Sequence, residues 1–231
     1  MSIDRNTILL NLQDVRRRIQ QALERSGRHG QSVRLVAVTK TVGVEEARTL
    51  LELGQEDLAE NRVKEALAKQ EALPRARWHL IGHLQTNKVK RALEFFDWIH
   101  SVDSLHLARE ISKRAERLGR EVDVLLEVNT SGEASKYGVT PEELPALAEA
   151  VSQLPRIRVR GLMTIAPIVE RPEEARPYFV MLRELRDRLV EEGVVAELPH
   201  LSMGMTDDFE VAVEEGATMV RIGRAIFGER T

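Results

Sequence analysis

The first segment of the chain has the apolar spacing of an amphipathic helix. Its apolar residues recur at intervals of three and four positions, at Ile8, Leu12, Val15, Ile19 and Leu23. This spacing places them on one face of a helix. Asp4 or Asn6 can cap the start of that helix, and Gly27 can end it. The pattern therefore predicts an N-terminal helix over residues 4–27, followed by a short loop.

Eight short apolar runs follow this helix, and each is typical of a buried parallel strand. The runs are 34–39, 57–60, 77–81, 98–102, 122–128, 157–163, 200–202 and 219–222. Amphipathic stretches fill the gaps between them. The clear helical periods are 44–53, 105–118, 142–154 and 173–192. Strands and helices thus alternate along the chain, which is the pattern of an α/β protein.

The spacing of these units predicts a closed barrel. The chain has about 25 residues for each strand and its helix, which suits a (β/α)8 TIM barrel. An open doubly wound sheet is the alternative, but it usually needs fewer strands and a reversal of strand order. No low-complexity stretch divides the chain. We therefore expect one domain over residues 1–231, with the N-terminal helix in 1–30 and the barrel in 31–231.

Composition narrows the class of protein further. The chain has 231 residues, with 34 Lys and Arg against 37 Asp and Glu, and a net charge of −3. This balance argues against a dedicated nucleic-acid binder, which would usually be basic. The absence of Cys excludes disulfides, thiolate metal sites and a Cys nucleophile. No apolar run is long enough to cross a bilayer and no secretory signal is evident, so we expect a cytoplasmic protein.

The common motifs of nucleotide, hydrolase and zinc sites are missing. The sequence has no P-loop, no dinucleotide-binding fingerprint and no hydrolase elbow. His79 and His83 have the spacing of a zinc pair, but Gly82 lies between them and the stretch reads as a strand followed by a loop. The helical face that would join two zinc ligands is therefore not expected.

Polar residues instead follow the carboxyl ends of the predicted strands, which form the active face of such barrels. In chain order they are Thr39 and Lys40, 60–62, Gly82 and His83, Ser101 and Asp103, Asn129, Met163 and Thr164, 202–204, and Gly223 and Arg224. Because parallel strands of a barrel end at the same mouth, these residues are expected to meet there. A varied polar set in one mouth predicts a ligand site.

Lys40 is the most distinctive residue of this set. It directly follows the apolar run 35–39 and would point from the end of a buried strand into the mouth. Partial desolvation there would favour the neutral amine, whose lone pair can attack a carbonyl, as Schiff-base chemistry requires. The alternative is a lysine that extends into solvent at a strand end.

Two glycine-bearing loops predict a phosphate site at the same mouth. The loop 202–207 follows the seventh strand, and in it Ser202 offers a hydroxyl while Gly204 permits close backbone approach. Gly223 and Arg224 form a similar loop after the eighth strand. Barrels often bind phosphate between the loops after strands seven and eight. Ordinary turn glycines are the alternative.

Arg221 lies within the eighth strand, between Val220 and Ile222. An arginine that points into a barrel must find a partner, because burial of an unpaired charge is costly. That partner could be a carboxylate of the chain, which would make an internal ion pair, or a ring nitrogen of a ligand. Both possibilities stay open at the level of the sequence.

At these residues the sequence resembles the pyridoxal phosphate homeostasis protein family, a group of single-domain barrels similar to the N-terminal domain of alanine racemase. The resemblance covers nearly the whole chain. Its segments are 35–40, 60–65, 78–88, 100–104, 127–129, 136–138, 161–164, 201–209, 220–223 and 226–228. So many segments in one order make the match specific, and no cofactor position departs from the family's pattern.

The resemblance implies a barrel that binds pyridoxal 5′-phosphate (PLP). The residues that it assigns to this cofactor are Lys40, Asn61, Met163, Ser202, Gly204, Arg221, Gly223 and Arg224. Lys40 would hold PLP as a Schiff base, and the loops at 202–204 and 223–224 would grip its phosphate, the second through the Arg224 backbone. Arg221 would face the pyridine nitrogen and, since it stays protonated, would weaken the ring as an electron sink. Asn61 and Met163 would line the ring pocket.

The resemblance further implies a protein without a catalytic reaction, acting in intracellular vitamin B6 and amino-acid homeostasis. Its expected partners are PLP and apo PLP-dependent enzymes, with no nucleic acid and no membrane, and its expected state is a monomer or a weak homodimer. A racemase-type PLP enzyme is the alternative. Alanine racemase adds a tyrosine from a second domain, which we do not expect here, and Tyr137 is expected to be a loop residue. A cofactor-free, aldolase-type Schiff base on Lys40 ranks below both.

Overall fold

The computed structural model of the protein describes residues 3–228 and begins with the predicted N-terminal helix. This helix, α1, spans Arg5–Arg25 and buries the apolar stripe that the spacing predicts. Asp4 caps it, because its Oδ1 accepts hydrogen bonds from the backbone N–H groups of Asn6 at 2.9 Å and Thr7 at 3.1 Å. The cap satisfies two donors that the first turn of a helix leaves without partners.

Eight parallel strands form a closed barrel in which each strand pairs with the next and β8 pairs with β1. The strands are β1 Arg34–Val38, β2 Asp57–Glu60, β3 Arg77–Leu80, β4 Trp98–Val102, β5 Val122–Glu127, β6 Ile157–Met163, β7 His200–Ser202 and β8 Met219–Ile222. The predicted (β/α)8 barrel is confirmed, and the open-sheet alternative is wrong. Strands β1, β3 and β5 end one residue before their apolar runs do.

Helices follow the strands around the outside of the barrel. They are α2 Val44–Glu52, α3 Val63–Gln70, α4 Val89–Ala92, α5 Leu105–Leu118, α6 Leu144–Ser152, α7 Arg176–Glu191, α8 Phe209–Glu214 and α9 Arg224–Phe227. Helix α7 begins later than the periodicity predicts, because the residues Pro172–Ala175 form a separate 3₁₀ turn. Helices α3 and α4 are too short to give a clear periodic signal, so the sequence did not reveal them.

The two faces of the strands fill two separate cores. The apolar side chains that pack inside the barrel are Val36, Val38, Ala59, Trp98, Leu125, Met163 and Met219. The opposite faces of the strands pack against the helices in a larger core. Because side chains alternate along a strand, Glu127 at the end of β5 continues the inward row of Leu125.

Helix α1 joins the outer ring of helices, where it packs against α2, α8 and α9. Asn11 Nδ2 donates to the carbonyl oxygen of Ile226 at 2.9 Å, and Arg18 Nε donates to Glu210 Oε1 at 2.5 Å. These contacts hold α1 against α8 and α9, the two helices that follow the predicted phosphate loops.

Two kinds of feature are missing from the part of the chain between residues 3 and 228. No helix there combines the length and apolar character that a membrane span requires, and no cluster of His, Asp and Glu side chains is placed to hold a metal ion. His79 and His83, which have the spacing of a zinc pair, have separate surroundings. His79 is buried, whereas His83 is exposed and stacks on Tyr137.

Candidate ligand site at the barrel mouth

Lys40 lies in a turn at the rim, two residues past the end of β1. The next residue, Thr41, adopts the left-handed conformation at φ 62°, which is unusual for a β-branched residue. The side chain of Lys40 is exposed, so the predicted partial burial of its amine is wrong. The physical reason is that β1 ends at Val38 and the turn carries residue 40 beyond the packed interior.

A buried ion pair fixes the peptide that precedes Lys40. Lys69 Nζ lies 2.5 Å from Glu60 Oε1 and donates to the carbonyl oxygen of Thr39 at 2.6 Å. The Thr39 hydroxyl donates to the same Glu60 oxygen at 2.6 Å. Burial raises the pKa of Glu60, although its bonds with Lys69 and Thr39 oppose that effect. These contacts hold the backbone at the start of the strained turn.

Arg221 is the buried cation of the mouth, with 4% of its surface exposed. Its Nη1 donates to Ser202 Oγ at 2.7 Å, and its Nη2 donates to the carbonyl oxygen of Thr164 at 2.8 Å. Within residues 3–228 it forms no direct ion pair, so the internal ion pair left open by the sequence is not found. Burial lowers the pKa of Arg221 to about 10, against the opposing effect of the nearby Asp208 and Glu127 carboxylates.

Ser202 is fully enclosed and faces Arg221 rather than the loop that follows it. Its Oγ accepts from Arg221 and lies 3.0 Å from His100 Nδ1. The sequence predicts a phosphate ligand at this position. In the structure, the Ser202 hydroxyl instead contacts Arg221 and His100.

Gly204 sits where the loop after β7 passes closest to α8. Its φ of 94° is unfavourable for other residues, and an added Cβ would lie 2.6 Å from Ala212 Cβ. The Gly204 carbonyl accepts from the backbone N–H of Arg221 at 3.0 Å, and Met205 N donates to Asp208 Oδ1 at 2.6 Å. The loop is thus hydrogen-bonded to β8 through Gly204 and to the Asp208 side chain through Met205.

The loops after β7 and β8 meet at Thr206. The backbone N–H of Ala225 donates to Thr206 Oγ1 at 3.3 Å, which places the hydroxyl at the start of α9, the helix that follows Gly223. Arg224 is exposed and its guanidinium pairs with Asp207. Sequence reasoning missed Thr206, although its hydroxyl lies within the loop that was singled out. The two predicted phosphate loops are therefore brought together.

Asn61 directly follows the second strand, and Met163 ends the sixth. Met163 is fully buried in the core inside the barrel, and Asn61 is half-buried in the bend after β2. Gly82 packs against the Asn61 backbone so closely that an added Cβ would lie 2.2 Å from the Asn61 carbonyl oxygen. This close approach fixes the edge of the mouth between β2 and β3.

Glu127 is a buried carboxyl that the sequence reasoning missed. It ends β5, the strand opposite β1 in the closed barrel, and 5% of its surface is exposed. Burial, helped by the charge of Asp103 and opposed by that of Arg221, raises the pKa of Glu127 to about 7. The predicted strand extends to Val128, so Glu127 falls inside an apolar run and not after it. Alternation with Leu125 is the signal that could have found it.

Tyr137 lies on the rim near Glu127. Its ring stacks on His83 with centroids 4.0 Å apart, and 59% of the residue is exposed. Glu127 and Tyr137 line one small cavity together with Lys136 and Ile165. The predicted loop position of Tyr137 is consistent with this placement.

Replacing Gly204 with alanine tests the tight loop after β7. Gly204→Ala is expected to lower the free energy of unfolding by about 1–3 kcal/mol more than Gly54→Ala, because it adds overpacking to backbone strain. Gly54 is the matched control, since its φ is 77° and nothing lies within 4 Å of its added Cβ. Urea unfolding of both variants measures the difference. Equal losses would show that the loop can relax away from α8.

The fold and the mouth define a class of protein, a (β/α)8 barrel with a lysine after its first strand and glycine loops after its last two. Residues 10–231 match the family described as alanine racemase, N-terminal domain. A pyridoxal phosphate homeostasis protein from Aquifex aeolicus is 53% identical over 221 residues, which cover 95% of this chain and 96% of that relative. The chain belongs to the pyridoxal phosphate homeostasis protein family, as the resemblance implied.

Two solved structures share the whole architecture. A crystal structure of an unknown protein from Bifidobacterium adolescentis has a TM-score of 0.92 and 40% identity, and the match covers 97% of each chain. PipY of Synechococcus elongatus PCC7942, solved with PLP bound, has a TM-score of 0.79 and 39% identity. That match covers 91% of this chain and 100% of PipY. The barrel described above is therefore common to this family.

Proposed function

We propose that the protein binds PLP in the barrel mouth as a Schiff base with Lys40. The observation that carries this proposal is the placement of a lysine and two joined glycine loops on neighbouring strand ends. Strands β1 and β8 are paired, with Ala37 opposite Ile222, so Gly223 follows β8 at the strand end next to the one that Lys40 follows. An aldehyde with an anionic tail matches an amine and a phosphate loop in this arrangement. The PLP-bound structure of PipY supports it.

The donors present fit the phosphate of this cofactor. The Thr206 hydroxyl and the backbone N–H groups of Gly204, Gly223 and Arg224 are proposed to hold it, since glycine leaves the backbone accessible. At Gly204 the φ of 94° keeps that space free of a Cβ. Ser202, for which a phosphate contact was predicted, is proposed to act on Arg221 instead, because its hydroxyl is enclosed beside that guanidinium.

Arg221 is proposed to face the pyridine nitrogen, with Asn61 and Met163 beside the ring. Since the pKa of Arg221 stays at about 10, it is a cation at neutral pH and disfavours a proton on the ring nitrogen. PLP supplies an electron sink when it is bound, and this environment weakens that sink. The arrangement therefore favours holding the cofactor over driving reactions with it.

We infer a non-catalytic role in vitamin B6 and amino-acid homeostasis, in which the protein binds PLP and delivers it to apo PLP-dependent enzymes. The name of the Aquifex aeolicus relative, pyridoxal phosphate homeostasis protein, supports the homeostatic part of this role. The exposure of Lys40 supports delivery, because an amine at the open rim is accessible to an incoming acceptor.

Native mass spectrometry of the full chain with PLP tests the proposed binding. We expect a mass increase of one PLP minus one water per chain, because Schiff-base formation releases water. Pyridoxal without the phosphate is the matched ligand and should bind more weakly, since it lacks the group that the two loops hold. If the chain formed an adduct with an added sugar phosphate but none with PLP, the aldolase-type alternative would be favoured. That result would contradict the proposed binding of PLP.

A racemase-type reaction is the second candidate, and Glu127 is the observation that favours it. A buried carboxyl with a pKa of about 7 on the strand opposite Lys40 is suited to accept or donate a proton. On this candidate, the PLP-loaded protein exchanges the α-proton of amino acids in heavy water. Exchange should fall about 100-fold or more in Glu127→Gln, since general acid–base groups contribute that much.

The pH profile and a matched variant decide this second candidate. With Glu127 as the base, exchange should rise as the pH increases through about 7, because the carboxylate is the active form. Glu133→Gln, at an exposed position near the same rim, should exchange like the unaltered protein. Absence of exchange with every amino acid would remove the racemase candidate and leave the binding role.

A further inference from the structure

A chain of hydrogen bonds crosses the barrel interior and ends on Arg221. Asp57 Oδ1 lies 2.8 Å from His79 Nε2, and His79 Nδ1 lies 3.0 Å from His100 Nε2. His100 Nδ1 lies 3.0 Å from Ser202 Oγ, which accepts from Arg221 Nη1 at 2.7 Å. Both histidines and Ser202 are fully buried. The chain therefore connects the start of β2, at one end of the barrel, with the mouth at the other.

With both histidines neutral, the chemistry of the two ends fixes the direction of every proton in this chain. Arg221 can only donate, and ionised Asp57 can only accept. His79 must then carry its proton on Nε2, which leaves Nδ1 to accept from His100 Nε2. His100 Nδ1 is in turn an acceptor, so the Ser202 hydroxyl donates to it. Each bond in the chain is satisfied by this single arrangement, with both histidines neutral.

Burial and the surrounding side chains favour the same state. Burial lowers the pKa of His79 and lowers that of His100 further, and the charge of Arg34 adds to both effects. Asp57 and Asp97 oppose the shift at His79, whereas His200 and Arg221 reinforce it at His100. Although burial opposes it, the bond from His79 holds the pKa of Asp57 below its usual value. The ring of Trp98 stacks over His79 and screens the pair from water.

We propose that Asp57, His79 and His100 are positioning residues that act through Ser202 to hold the Arg221 guanidinium in place. Because His100 Nδ1 accepts the proton of the Ser202 hydroxyl, that proton does not turn toward the cation. The effect on PLP rests on the proposed function, whereas the proton arrangement does not. An apolar interior would fill the barrel at a lower desolvation cost, so a fully satisfied polar chain that ends at the ligand site indicates a role at that site.

NMR of the ring nitrogens in the full chain, without added ligand, tests the arrangement directly. We expect His79 and His100 both as neutral Nε2–H tautomers at neutral pH. Either ring as the Nδ1–H tautomer, or as a cation, would overturn the proposed chain. Because this readout needs no PLP, its outcome is independent of whether the proposed cofactor binds.

A double-mutant cycle tests whether the chain acts through Ser202. His100→Phe is expected to weaken PLP binding by up to about tenfold, the upper end for one lost hydrogen bond between neutral groups, and to shift the absorption of bound PLP. His100→Asn, which keeps an acceptor near Ser202, should restore most of the affinity. In a Ser202→Ala background, His100→Phe should have no further effect. His106→Phe, at an exposed histidine, is the matched control and should bind like the unaltered protein.

The failures of the two proposals can be told apart. If the unaltered protein bound no PLP, the proposed function would fail while the NMR result would still decide the tautomers. If PLP bound normally, and His100→Phe and Ser202→Ala had additive effects or none, the positioning role would be wrong. Should His100→Phe not fold, Ser202→Ala takes its place: it should weaken PLP binding by a similar factor, and unchanged binding in that variant would contradict the positioning role.

Discussion

Lys40→Ala is expected to lose all of the visible absorption that the protein gains with PLP. The reason is that the Schiff base needs an amine, and among residues 3–228 no lysine other than Lys40 lies in the turn after a strand paired with β8. The free energy of unfolding should change by no more than about 0.5 kcal/mol, because the side chain is exposed. Absorption spectra before and after incubation with PLP measure the first effect, and urea unfolding measures the second.

Lys88→Ala is the matched control for this experiment, since Lys88 is also an exposed lysine that follows a strand of the barrel. It should retain the full visible band. A band of unchanged height in Lys40→Ala would place the Schiff base on another residue and contradict the proposed site. Loss of the band in both variants would point to a general effect of lysine removal.

Lys69→Met is expected to destabilise the protein by about 3–5 kcal/mol, the cost of breaking a buried ion pair by removing one partner. Glu60 would be left fully buried without its cation, and the Thr39 carbonyl would lose its donor. In a chain of this size the midpoint of thermal unfolding should fall by about 6–20 °C. Denaturant unfolding and calorimetry measure the two quantities.

Arg17→Met provides the comparison for an exposed ion pair. Arg17 pairs with Asp14 at 2.5 Å, with 58% and 48% of the two side chains exposed. Pairs of this kind contribute about 0–1 kcal/mol, so the loss should be several times smaller than in Lys69→Met. Similar losses in the two variants would show that the buried pair of Glu60 and Lys69 stabilises the protein no more than an exposed ion pair does.

Much of the fold was predictable because alternation of strands and helices is a local property. The eight apolar runs located every strand, and only the ends of three were misplaced. The misplaced ends lie at the rim of the barrel, where the apolar run extends one residue past the end of the strand. At the end of β5, the apolar run continues to Val128, so Glu127 does not stand out as a residue of the mouth. Its position two residues after Leu125 nevertheless places it on the inward face of the strand.

The candidate site was predictable only where a residue type and a strand end coincide. Lys40, Gly204, Gly223 and Arg221 could be named because each follows or lies within a recognisable strand. The exposure of Lys40 could not be predicted, since it depends on the turn at Thr41 and on how the rim is packed.

Contacts between distant strands could not be derived from the sequence. His79, His100 and Ser202 lie on β3, β4 and β7, and only closure of the barrel brings their polar atoms into one chain. No local pattern marks such a chain, because each histidine by itself resembles an ordinary core residue. The role of Thr206 likewise depends on where α9 begins, beside a loop of another unit.

The most direct test of the proposed function is reduction of the PLP-loaded protein with borohydride, followed by proteolysis and peptide mass mapping. Borohydride converts a Schiff base into a stable bond, so the label marks the lysine that holds the cofactor. We expect one pyridoxyl group per chain, on the peptide that contains Lys40. A label on another lysine, or no label after loading with PLP, would contradict it.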